Sequence, residues 1–284
     1  MRTIFDNRLV RFVVLFVVTI GTYAGTQIVP LVTMPHIPAA SRQGAAIVMS
    51  AVSVAVLLLV YCGLVRLMEH RRIGELSLSA APGGLVAGAA VGLGLFATVI
   101  AILWAMGVAA VQPTPGNSLL GAANMAVLSA IGEELVFRGV VYRIFEEMFG
   151  TFVALLASAG LFGLIHLGNH GATLISGGAI ALEAGFLLAI SYAAVGNLWL
   201  PMGLHFGWNF AEGAIFGSVV SGNAFKGLLQ TTLTGPDLLT GGKFGPEASV
   251  VAVAVCAAAA LVIAVIAIRR GRWVSLRLSL IDRG

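Results

Sequence analysis

The sequence predicts an all-α protein, a polytopic helical bundle of about eight transmembrane helices with both termini in the cytoplasm. Three observations carry this. Hydrophobic residues make up 59% of the 284 positions and charged residues only 10%, against about 45–50% and about 25% in soluble chains. Several apolar runs approach the ~20 residues that cross a bilayer core as helix, and mean hydropathy is +1.01. Lys and Arg gather on alternate sides of those runs, the asymmetry that sets membrane orientation. A Rossmann domain, a nucleic-acid reader and a secreted disulfide scaffold are thereby excluded, the only cysteines, Cys62 and Cys256, each lying inside an apolar run. The net charge of +4 requires no nucleic-acid partner, because membrane proteins collect basic residues on their cytoplasmic side.

The first apolar run, from about Leu9 to Val32, follows a basic head as in a signal peptide, but it exceeds a typical h-region and is expected to be an uncleaved span. Further spans are expected near 44–65, 84–111, 118–146, 151–167, 174–195, 198–220 and 248–268. Clusters of Pro and Gly separate them: Pro35 to Pro38, Pro82 to Gly84, Pro113 to Gly116, and Gly235 to Pro246. One side collects Arg2, Arg8, Arg11, Arg66, Arg71, Arg72, Arg143, Arg269, Arg270, Arg272, Arg277 and Arg283, the other only Arg42, Lys226 and Lys243. Both termini then lie inside, which requires an even number of spans. The only long connection, Ser221 to Ser249, is expected to be plain loop on the outside. The tail from Gly271, with Trp273, Val274, Leu276 and Leu278 among its arginines, is expected to anchor at the inner leaflet. Organisation is thus expected as three N-terminal helices (1–117), a four-helix core (118–220), and a loop, last helix and basic tail (221–284).

The informative residues are those that do not belong in lipid: Glu133, Glu134, Arg138, Glu183, Glu212, His166, His205 and Asn209. An ionised side chain at mid-membrane costs about 2.5–3.5 kcal/mol on insertion scales, so these groups must be paired, neutralised or kept in a wet cavity. Glu134 and Arg138 are four apart in the favourable acid-first order and form a pair on one helix face. Glu133 points about 100° away and has no cation three or four residues along. Phe162 stands one turn before His166. His205, Asn209 and Glu212 are expected along one stripe of the seventh span. For Glu183 the expectation is a partner on a neighbouring helix.

A carboxylate and an imidazole can hold and deprotonate a water, while a second His and an Asn supply donors to an oxyanion. That combination suits amide hydrolysis. Glu133, His166 and His205 would also be acceptable Zn2+ ligands with a fourth position for water, although HExxH is absent. No GxSxG and no phosphate loop compete. The glycine pairs around Gly83, Gly177 and Gly241 read as breaks and close helix packing.

In EELVFR (Glu133 to Arg138), FGLIH (Phe162 to His166) and HFGWN (His205 to Asn209), taken in order, the sequence resembles the type II CAAX prenyl endopeptidase and bacteriocin-processing (CPBP or Abi) family of intramembrane proteases over about residues 118–215. The resemblance implies proteolysis within the membrane. Glu133 and His166 would activate water, His205 and Asn209 would form the oxyanion site, and Glu134, Arg138 and Phe162 would support them. The family has been viewed both as metal-dependent and as glutamate-dependent, so Zn2+ is left open. Glu212 and His170 fall outside its pattern.

The expected function is therefore endoproteolysis of a membrane-associated protein or peptide, near the cytoplasmic half of the bilayer of a bacterial inner membrane. The bilayer and the substrate are the expected partners. A non-catalytic immunity or scaffold protein of the same fold, and a proton-coupled transporter, are the alternative classes.

Overall fold

The computed structural model describes residues 4–115 and 119–279. Arg2, Gly116 and Arg283, which entered the orientation and boundary arguments, lie outside the described residues.

Helix α1 (Arg8–Thr33) begins where the Asn7 side chain accepts from the amides of Leu9 and Val10, satisfying two N–H groups that the helix cannot. Pro35 and Pro38 break the chain before α2 (Arg42–Glu69), and α3 (Ala81–Ala105) follows two short 3-10 turns, with Pro82 in its first turn. Helix α3 stops short of the expected 84–111 because Gly107 turns the backbone at φ +73°. Residues 109–113 instead form strand β1 (Ala109–Pro113). Next, α4 (Leu119–Glu134) passes through a π-helical stretch, Leu135–Tyr142, into α5 (Arg143–Phe149), making one continuous membrane-length rod. Gly150, at φ +90°, separates it from α6 (Thr151–Ile165). A capping box between Thr173 and Ser176 opens α7 (Leu174–Ile180), joined through π-helical Ala181–Gly185 to α8 (Phe186–Val195). Helix α9 (Trp199–Asn209) runs into a third π-helical stretch, Phe210–Ile215. Strands β2 (Val219–Val220), β3 (Asn223–Ala224) and β4 (Leu229–Leu233) and the short α10 (Asp237–Thr240) precede α11 (Val250–Arg269).

Seven helices among the described residues are long and apolar enough to cross a bilayer. The expected eighth, near 198–220, is helical only over 199–215, about 25 Å at 1.5 Å per residue. Its direction nevertheless fits a crossing. Gly84 lies against Trp199, Gly88 against Leu200 and Leu204, and Gly92 against Leu204 and Trp208, so α3 and α9 run parallel. Parallel helices need an odd number of crossings between them, and α4–α5, α6 and α7–α8 supply three. Backbone meets backbone along this seam because Gly203 and Gly207 on α9 answer the α3 glycines, and a Cβ at any of them would strike main chain.

Three of the arginines predicted to face the cytoplasm, Arg11, Arg71 and Arg143, meet in a partly buried network. Arg143 pairs with Glu69 at 2.7 Å and Glu147 at 3.1 Å, Arg11 with Glu147 at 2.5 Å, and Arg71 with Glu75 at 2.6 Å. Tyr61 donates to Glu75 at 2.6 Å. The tail runs extended along the α5–α6 junction, with Thr151 donating to the Val274 carbonyl and Ser279 to that of Met148. Its Leu276 and Leu278 are left exposed.

The connection from Ser221 to Ser249 is not the plain loop expected from sequence. Strand β4 pairs antiparallel with β1, β2 with β3, and Gly222 donates to the Phe244 carbonyl. Phe244 and Glu247 are buried beneath. Five glycines at positive φ (Gly222, Gly235, Gly241, Gly242, Gly245) make the tight turns of this cap, conformations that L residues avoid. A polar, glycine-rich run looks like loop to periodicity because its order comes from turns and long-range pairing.

Candidate active site

Four segments meet at mid-depth. Glu133 sits near the middle of the α4–α5 rod, and its Oε1 accepts from the Tyr23 hydroxyl of α1 at 2.9 Å. The Tyr23 ring lies on the face that Gly132 leaves bare, where a Cβ would meet the ring. Glu133 Oε2 is buried with no hydrogen-bond partner. His205 Nε2 stands 3.9 Å from it and His166 Nε2 4.0 Å.

Both imidazoles are held from behind. His166 closes the C-terminal end of α6 and its Nδ1 bonds the Phe162 carbonyl at 2.7 Å. His205 Nδ1 bonds Glu134 Oε1 at 3.0 Å. With the Nδ1 positions engaged, each ring turns its Nε2 toward Glu133. Glu134 also accepts from Arg138 at 2.8 Å, both residues being fully buried. Arg138 continues to the Gly185 carbonyl at 2.8 Å and lies over the Phe162 ring at 4.7 Å. Phe162 packs in turn on His166, His205 and Phe137, so one ring fixes a cation and two imidazoles. Asn209 donates to Ser129 at 3.0 Å on the facing α4.

Every π-helical stretch in the described chain adjoins this site, as such bulges commonly do. The one after Asn209 breaks the expected stripe. Glu212 is fully buried, and it does not line the cavity that His205 and Asn209 line. Glu183 does line it and meets Cys256 of α11 at 3.8 Å, the helix partner expected. Glu247, from the outer cap, lines the same wall and accepts from Ser221 at 2.6 Å, and burial pushes its carboxyl above the usual range. His170 lies apart from the cavity lining.

The cavity encloses ≈ 650 Å3. Its wall takes α1 from Ile20 onward, the first turns of α2, α4 from Gly121, and Val220, Ser221, Asn223 and Glu247 of the cap. All of these lie at mid-depth or toward the arginine-poor side. The Arg–Glu network stands at the opposite set of helix ends, and none of its residues lines the cavity.

Donor chemistry and spacing bear on a metal separately. A carboxylate and two imidazole lone pairs suit Zn2+. A tetrahedral ion with bonds of about 2.0–2.1 Å holds its ligands about 3.3 Å apart, whereas one water hydrogen-bonded at about 2.8 Å to two neighbours at the tetrahedral angle holds them about 4.6 Å apart. The separations of 3.9 and 4.0 Å fall between these two spacings, and no group of three or more His, Cys, Asp or Glu among the described residues has metal-site spacing.

Residues 115–211 match the family model for type II CAAX prenyl endopeptidase Rce1-like proteins. All three motifs fall inside this Rce1-like segment, and membrane-length apolar helices flank it on both sides. No curated protein and no solved structure matches the chain. Sequence reasoning missed Tyr23 and Ser129. Tyr23 sits in a distant helix with no spacing relation to α4, and its only trace was a single tyrosine in the first span.

Proposed function

We propose that the protein is an intramembrane endopeptidase that hydrolyses a peptide bond of a membrane-associated substrate with a water held by Glu133 and His166. One observation carries the reading: the unpartnered Glu133 Oε2 faces two imidazole Nε2 atoms across 4.0 and 3.9 Å. Glu133 takes a proton from that water as its oxygen bonds to the scissile carbonyl carbon, and His166 orients it. Tyr23 holds the other carboxylate oxygen. The carbonyl oxygen becomes an oxyanion, toward which His205 and Asn209 donate. His205 donates from Nε2 only as an imidazolium, and Glu134 behind it supplies the countercharge. Glu133−, Glu134−, Arg138+ and one imidazolium then sum to zero, the balance a low-dielectric site requires. As the C–N bond breaks, Glu133 returns its proton to the amine.

If Zn2+ is bound, Glu133, His166 and His205 hold it and it supplies Lewis acidity. Zinc content of purified protein and activity after chelation decide that point. A bacterial inner membrane is the location proposed.

Glu133→Gln tests the reading. The amide keeps the shape and a bond from Tyr23 but accepts no proton, so activity should fall by roughly 10²–10⁴-fold while expression and melting stay unchanged. Full function of this variant would favour a scaffold or immunity role.

A further inference from the structure

The residues lining the cavity separate two kinds of substrate segment. We infer that the segment entering it is an internal stretch of polypeptide presented at the extracytoplasmic membrane surface, and not a free C-terminal tail arriving from the cytoplasm. The side of access stands on the cavity's geometry and on the positive-inside orientation. The cleavage of that segment rests on the proteolytic reading above.

Orientation comes first. Arg8, Arg11, Arg66, Arg71, Arg143 and Arg269 lie at one set of helix ends, which the positive-inside rule assigns to the cytoplasm. At that end stand the ion pairs of Glu69, Arg143, Arg11 and Glu147, none of which lines the cavity, with Glu69 and Arg143 at most 9% exposed. Toward the opposite side the cavity reaches surface, because Gln27, Ile28 and Asn223 both line it and are exposed. Ile28 on α1 and Ile165 on α6 line it at exposed positions as well, so the opening has apolar lips facing lipid.

The lining chemistry then selects the occupant. No Lys or Arg is among the described lining residues, while Glu133, Glu183 and Glu247 are. Arg138 is turned away onto Glu134, Phe162 and the Gly185 carbonyl. A chain end would bring its carboxylate to a wall that holds three acidic residues and neither Lys nor Arg among the described lining residues. Gln27, Asn124, Asn169 and Asn223 line the outer part instead. A carboxamide offers both donor and acceptor, the complement of backbone peptide groups in an extended segment.

Two measurements on the full-length protein test this. Single cysteines at Gln27→Cys and Asn124→Cys, in a Cys62→Ala, Cys256→Ala background with melting checked, are treated with a membrane-impermeant maleimide in right-side-out and inside-out vesicles. Arg72→Cys is the control for the opposite face. The cavity cysteines should label several-fold faster right-side-out and Arg72→Cys several-fold faster inside-out. Cavity labelling confined to inside-out vesicles overturns the inference outright. Terminomics of membranes carrying wild type or Glu133→Gln then reads the substrate. New ends that need Glu133 should lie within extracytoplasmic juxtamembrane segments, and ends in the last residues of cytoplasmic tails overturn the substrate class. Cavity labelling from outside without any Glu133-dependent ends overturns the proteolytic reading, and the substrate class with it, and upholds the side of access.

Discussion

Glu133 and Glu134 are neighbours in the chain with opposite surroundings. Glu134 accepts from Arg138 and His205 and is sealed in protein, whereas Glu133 keeps one oxygen on the cavity. The 100° rotation between successive helical residues separates them, and the sequence alone supports that much. The other oxygen of Glu133 depends on Tyr23. A hydrogen bond to a charged group contributes about 1.5–3 kcal/mol, so Tyr23→Phe should lower kcat/KM by roughly 10- to 100-fold with unchanged melting. An unchanged kcat/KM would mean that Tyr23 only fills space. The motif residues were legible because polar side chains in an apolar run are costly and stand out. Tyr23 was not, because an aromatic residue in a span carries no such cost and its partner lies 110 positions away.

Among the elements, the α3–α9 seam positions His205 and Asn209. Glycines on both helices let the backbones touch, and the register of that contact decides which face of α9 turns toward α4. Gly88→Val would drive a branched side chain into the Leu204 amide and the Gly203 carbonyl carbon. Overpacking costs about 1–3 kcal/mol even where side chains can shift, and here the obstacle is main chain. The variant should therefore show a lower Tm and lose activity through displaced His205, and a wild-type Tm would refute the seam. The π-helical turn after Asn209 has the converse effect. It removes Glu212 from the stripe that regular 3.6-residue spacing predicts. Such a register shift is invisible to periodicity, because it arises from how the helix packs and not from residue type.

At the scale of the molecule, the Arg–Glu network ties α1, α2 and the α4–α5 rod together at the cytoplasmic end. Glu69 is the common partner of Arg11, Arg71 and Arg143. Glu69→Ala would leave Arg143 buried beside an empty position, and breaking a buried pair from one side costs about 3–5 kcal/mol. Yield and Tm should both fall, and a wild-type melt would show that the remaining carboxylates suffice. The sequence by itself determined the membrane setting and the set of polar residues that must meet, because hydropathy and the cost of charge in lipid both act on residue type. Only the tertiary structure decided that Tyr23 completes the site, that Glu212 leaves it, that residues 221–249 fold into a cap, and that the cavity leads away from the arginine-rich face. Those outcomes depend on helix register, on backbone contact at glycines and on pairing between distant segments, which are properties of packing and are not encoded in any local stretch of chain.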